Sequence, residues 1–104
     1  MAIPPKLTDE QRAAALEKAA IARRVRAEVK ARLKMGSVTL PELFEQAAAD
    51  PIIAKIKVLA VLESLPGVGK VSARRTMEEI GIADSRRIAG LGDRQRAALL
   101  ETFG

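Results

Sequence analysis

The 104-residue chain carries 18 Lys and Arg against 13 Asp and Glu, a net charge of +5, and has no Cys, His, Trp or Tyr. That length fits one small domain. The missing residue types exclude disulfides, thiolate zinc sites and histidine acid–base or metal chemistry. With Phe44 and Phe103 as the sole aromatics, stacking of unpaired bases is excluded as a main mode of binding. The excess of positive charge points to an anionic partner, the plain alternative being a basic domain that is merely soluble. It is also uneven: residues 1–35 carry nine bases and four acids, residues 36–50 three acids and no base, and residues 51–104 nine bases and six acids.

Residues 1–7 contain Pro4-Pro5 and few anchoring side chains, so a loose tail is expected there. No apolar stretch of signal-peptide length occurs in them, and no run in the chain approaches the ~20 residues of a membrane span, so a cytoplasmic protein without membrane partners is expected. Thr8 is placed to cap a helix that begins with Asp9 and Glu10 and ends at Gly36. At 1.5 Å per residue that helix is roughly 40 Å long. Ile21, Val25, Val29 and Leu33 form a slowly drifting apolar stripe on its second half, whereas the first half offers mainly Ala13, Ala14, Ala15, Ala19 and Ala20. Alanine favours helix but buries little area, so the first half is expected to project from the body as an arm.

Thr39 and Glu42 have capping-box spacing ahead of Leu40, Leu43 and Phe44, which are expected to face inward. Asp50-Pro51 marks a break and a restart. Ile52, Ile53, Ile56, Leu59, Leu62 and Leu65 then supply most of the apolar mass. After the turn Leu65-Pro66-Gly67-Val68-Gly69-Lys70-Val71, the next helix is expected to bury Val71, Met77 and Ile80 and to stop at Gly81, with Ile82 closing the cap. A polar, basic connector from Ala83 to Leu91 leads to a last helix, capped by Gly92 or Asp93, that turns Leu99, Leu100 and Phe103 inward. The expected fold is all-α: a long basic helix over residues 1–35 and a compact helical bundle over 36–104. No repeat is visible.

The glycine turn does not fit a nucleotide P-loop, because Ser64 stands where that motif needs glycine and Val71 where it needs Ser or Thr. A dinucleotide fingerprint fails at Ser72 and lacks a preceding strand. What remains is a helix, a Gly-Val-Gly turn and a second helix. Val68 can plug the gap between the helices, and the amides that open the second helix lie at the positive end of its dipole. Such an end suits a nucleic-acid phosphate without reading a base. Lys70 and Arg74, four apart, share the exposed side, with Arg75 at its rim. The plain alternative is an ordinary turn closed by glycines for packing.

The segments VLESLPGVGKVSARRTMEEIGI and RRIAGLGDRQRAALLETF, together with the opening LTDEQRAAALEKAAIARRVRAEVKARLKMG, resemble the actinobacterial integration host factor family over nearly the whole chain. The resemblance implies a helix–two-turn–helix domain behind a long helix. It also implies a nucleoid-associated protein that binds double-stranded DNA, bends or compacts it and assists phage-type site-specific recombination, so that a phage-type integrase is an implied partner. Carried over residue by residue, the family's contacts fall on Pro66, Gly67, Val68, Gly69 and Lys70, on Arg74, and on Arg86 and Arg87. Where the family commonly shows Arg-Arg-Leu-Arg-Gly, this chain has Arg86-Arg87-Ile88-Ala89-Gly90. Ala89 removes one arginine, which implies either a weaker contact at this patch or its replacement by Arg94 from the next turn.

A second basic surface is expected on the long helix. On a helical wheel Arg12, Arg23, Arg26, Lys30 and Lys34 fall within roughly 80° of one another, beside the apolar stripe. A helix with one basic face can follow DNA phosphates, although a solvated charged face is the plain alternative. Its alanine-rich end has too little apolar surface for a membrane. The expected activity is non-catalytic, without cofactor or metal. A glycosylase of helix–hairpin–helix type would need an aspartate farther from Lys70 than Asp84 and an aromatic base pocket. The alternative function is rRNA binding, since GVGK, IGI and the following Leu and Gln also resemble ribosomal small-subunit protein thirteen. The long leading helix and the lack of a basic extension after Phe103-Gly104 oppose it. The chain is expected to act as a monomer, with pairing through the alanine-rich arm left open.

Overall fold

The computed structural model describes residues 8–104; the loose tail expected over residues 1–7 lies outside them. Six α-helices follow in order: α1 (Asp9–Met35), α2 (Leu40–Ala49), α3 (Pro51–Ala54), α4 (Val58–Ser64), α5 (Lys70–Ile80) and α6 (Asp93–Phe103), with a 3-10 turn at Ile88–Gly90 before α6. The described residues contain no strand, and the all-α expectation holds.

Short-range chemistry sets the helix ends. Thr8 Oγ1 accepts from the Gln11 amide at 3.1 Å, while Gln11 Oε1 accepts from the Thr8 amide at 2.9 Å, closing a capping box on α1. Thr39 and Glu42 repeat the device on α2. Asp50 ends α2 and starts α3 at once: its amide donates to the Gln46 carbonyl, and its carboxylate accepts from the Ile52 amide at 2.9 Å. At the end of α5, Gly81 adopts φ 90°. The Gly81 and Ile82 amides both return to the Met77 carbonyl, and buried Ile82 closes the cap as expected.

One core unites the helices. Leu33, Leu43, Leu62, Ala73, Met77 and Leu99 are completely buried, and each large apolar side chain of this kind contributes about 1.5–3 kcal/mol by leaving water. Helix α1 packs on α3 and α4, α4 on α5, and α2 on α3, α6 and the 3-10 turn. Only the second half of α1 takes part. Val29 and Leu33 are buried and Val25 packs on them, while Ile21 is 41% exposed. From Asp9 to Ala20 every residue is exposed. The radius of gyration, 16.2 Å, exceeds the ~12.5 Å of a compact domain of this length, as a projecting arm requires.

Two expectations are corrected, at Val71 and in the connector, and one helix break is added to them. The apolar segment after Pro51 is two short helices, because Lys57 turns extended between them. There the Val58 amide donates to the Arg86 carbonyl at 2.9 Å and the Ile88 amide to the Ile56 carbonyl at 3.0 Å. Partners from the connector replace helical bonds at this point, and Val58 and Val61 join the core. Val71 is 72% exposed, not buried. With α5 starting at Lys70, its inner face is Ala73, Met77 and Ile80, at the i, i+4, i+7 spacing, and Val71 lies about 200° away from Ala73. The connector is polar only outwardly: Ile88 and Leu91 are buried beneath it.

Candidate nucleic-acid interface

Leu65-Pro66-Gly67-Val68 is a type II turn. Pro66 supplies the fixed φ of the second position, Gly67 takes φ 75° at the third, and the Val68 amide donates to the Leu65 carbonyl at 3.1 Å. Only Gly67 requires glycine for its backbone. Gly69, with φ −88°, caps α5 in ordinary extended geometry, and a Cβ added there would meet nothing within 4 Å. Packing therefore does not explain glycine at position 69. Its effect is to leave the mouth of α5 bare. No side chain caps this end, and the Ala73 amide, bonded to the Gly69 carbonyl at 2.9 Å, makes the first helical bond. The amides of Lys70, Val71 and Ser72 precede it at the positive end of the helix dipole. Val68 packs on the core, as expected of a plug between α4 and α5.

Lys70, Arg74 and Arg75 are all exposed on α5, around Val71. The turn does not face solvent alone. Lys30 and Lys34 of α1 line one open groove of about 810 Å³ with Pro66, Gly67, Val68, Gly69 and Lys70. The docking of α1 on α4 brings them there. The turn and the lower arm, two surfaces in the sequence, thus form one mainly cationic face, with Glu63 the single acid among the residues lining this groove.

Beyond Lys30 that face opens into a larger groove of about 890 Å³ between α1 and α3–α4. Lys18, Arg23, Arg26, Lys30, Lys55, Lys57 and Arg87 line it, with no acidic residue among the lining side chains. Lys18, Lys55 and Lys57 were not singled out by sequence reasoning. Lys18 lies outside the 80° basic sector, and Lys55 and Lys57 sit on a segment read for its apolar residues; their alternation around Ile56 was the available signal. Arg86 and Arg87 part company. Arg87 lines the groove, while the Arg86 guanidinium folds back to the Gly90 carbonyl at 3.1 Å. Arg94 is exposed on α6, and Arg12 lies far out on the arm, 18 residues or about 27 Å along α1 from Lys30. The structure does not bring these two to the groove face. Arg96 has a packing role: its guanidinium lies 5.7 Å from the centre of the Phe44 ring, tying α6 to α2.

The helix–hairpin–helix geometry has close counterparts. Residues 33–103 match the family model described as an S13-like H2TH domain. An integration host factor of Mycobacterium tuberculosis is 61% identical over 100 residues, covering 96% of this chain and 95% of that protein. The chain belongs to the integration host factor family. The relative from Streptomyces coelicolor, also an integration host factor, is 60% identical over 104 residues and covers the whole of this chain. Among solved structures, sIHF bound to an 8-bp palindromic DNA superposes with a TM-score of 0.81 at 56% identity, covering 85% of this chain and 99% of that one. Within this family fold, no group of three His, Cys, Asp or Glu among the described residues is placed to hold a metal. No described helix is long and apolar enough to cross a membrane.

Proposed function

We infer that this chain is a non-catalytic, nucleoid-associated architectural protein. It binds duplex DNA through backbone phosphates with weak sequence preference, bends or compacts the duplex, and assists site-specific recombination alongside a phage-type integrase. The observation that carries the reading is the bare amino end of α5 opening on the same groove as Lys30, Lys34 and Lys70. Backbone amides there take one phosphate oxygen, and the lysines neutralise the flanking phosphates. The relative solved on an 8-bp DNA supports the choice of duplex. The ribosomal alternative is outweighed, since full-length relatives at 60–61% identity are integration host factors.

In this reading residues 36–104 supply Pro66, Gly67, Val68, Gly69, Lys70, Arg74 and Arg75 at the hairpin, with Arg86, Arg87 and Arg94 on the flank. Residues 1–35 supply Arg12, Arg23, Arg26, Lys30 and Lys34. The chain acts as a monomer within the nucleoid. Base readout is weak because contacts run through amides and lysines that meet phosphate, so preference arises from duplex deformability. The test is an anisotropy titration against a random duplex of about 25 bp at several salt concentrations, with structured ribosomal RNA as competitor. With ~6–8 phosphate contacts, log K should fall against log salt with a slope of roughly −5 to −7, and duplex should outcompete RNA. Preference for the RNA would overturn the reading.

A further inference from the structure

The recess between α1 and α3–α4 has a feature that phosphate-backbone binding does not use. Its cations stand on the rim, while Ile21, Ile52 and Ile56 with Ala22 and Ala60 form an apolar floor. Ile21 is 41% exposed there, an unusual place to leave an isoleucine beside so many charges. Duplex phosphates lie on convex ridges, so they reach the rim and leave this floor uncovered. A compact ligand with a concentrated negative charge at one end and a flat, weakly polar body at the other satisfies both parts.

We propose that this recess binds a nucleoside polyphosphate. The polyphosphate lies among Lys55, Lys57 and Arg87 on one wall and Arg26 and Lys30 on the other. The base rests on Ile21 and Ile52. The volume of about 890 Å³ falls within the range of small-molecule sites. One wall is held rigidly: the Val58–Arg86 and Ile88–Ile56 backbone bonds clamp Lys57 and Arg87 side by side. The absence of any lining carboxylate means that the like charges repel one another until a multiply charged anion enters, which favours a polyphosphate over a monoanion.

The test titrates the full chain with ATP free of divalent cation and, separately, with inorganic tripolyphosphate, following backbone amides by NMR and affinity by calorimetry. ATP should bind about tenfold more tightly than tripolyphosphate, a difference of about 1.4 kcal/mol that reads the base on its floor. The largest amide shifts should fall in residues 18–30 and 52–60. The double variant Lys55→Glu, Lys57→Glu should weaken binding of both ATP and tripolyphosphate at least about tenfold, with helix content by circular dichroism unchanged. Equal affinity for the two probes, shifts centred on residues 66–72, or no binding at millimolar ATP would each overturn the proposal. The wild-type ratio and shift map decide it whether or not the variant folds. A duplex titration of the same sample reads DNA binding separately, so failure of one reading does not imply failure of the other.

Discussion

In α1 the second half buries Val29 and Leu33 against α3 and α4, while the first half, from Asp9 to Ala20, leaves every residue exposed. The backbone is continuous and basic residues occur on both halves, yet the two are positioned by different forces. The docked half is held by tertiary burial. The projecting half relies on alanine propensity and the Thr8–Gln11 capping box, which leave a short isolated helix marginal. Cations on the docked half therefore stand in fixed places relative to the hairpin, and those on the projecting half are positioned only through the helix itself.

The sharpest separation comes from stability. Leu33→Ala, at a completely buried site, should cost roughly 2–5 kcal/mol in urea unfolding, whereas Leu16→Ala, 63% exposed on the arm, should change stability by less than about 0.5 kcal/mol. Equal losses would mean that the arm is packed in solution. In duplex binding, Lys70→Glu should weaken affinity about tenfold and lower the magnitude of the salt slope by about one or more. Deleting residues 1–20 should leave the core folded and cost only about threefold in affinity, through the loss of peripheral phosphate contacts. A larger loss from the deletion would make the arm, not the hairpin, the main grip.

The two glycines of the hairpin divide in the same way. Gly67→Ala forces a side chain into φ 75° and should cost about 1–2 kcal/mol in thermal unfolding. Gly69→Ala meets no steric obstacle and should cost less than about 1 kcal/mol. It should nonetheless weaken duplex binding measurably, because its methyl group sits at the bare mouth of α5. The smallest effect contrasts neighbours in the connector. Arg87→Ala should reduce duplex affinity by about threefold and Arg86→Ala by less, since Arg86 is already engaged by the Gly90 carbonyl. Anisotropy titrations of the two variants side by side would reverse this ranking if Arg86 leaves Gly90 on binding.

Much of this was legible from local rules. Thr8, Thr39 and Asp50 announce helix starts by residue type, and Gly36 and Gly81 announce stops. The Leu65–Lys70 turn carries its own geometry in Pro66 and Gly67. Each depends on bonds within about five residues, so the linear order contains it. Local rules fall short where bonds come from afar. As an apolar residue Val71 is expected to turn inward, but the register of α5 is set by Ala73 and Met77 meeting the core. The break at Lys57 depends on carbonyl and amide partners roughly 30 residues later in the chain.

The sequence by itself determined the helices other than the α3–α4 break, along with the side-chain caps, the hairpin and the excess of positive charge, because propensity, capping and turn chemistry act over one or two turns of chain. Only the tertiary structure decided which charges act together. Packing of α1 on α3 and α4 places Lys30 and Lys34 beside the hairpin, and Arg23 and Arg26 opposite Lys57 and Arg87. Such grouping depends on the angle at which buried faces meet, which no local spacing encodes.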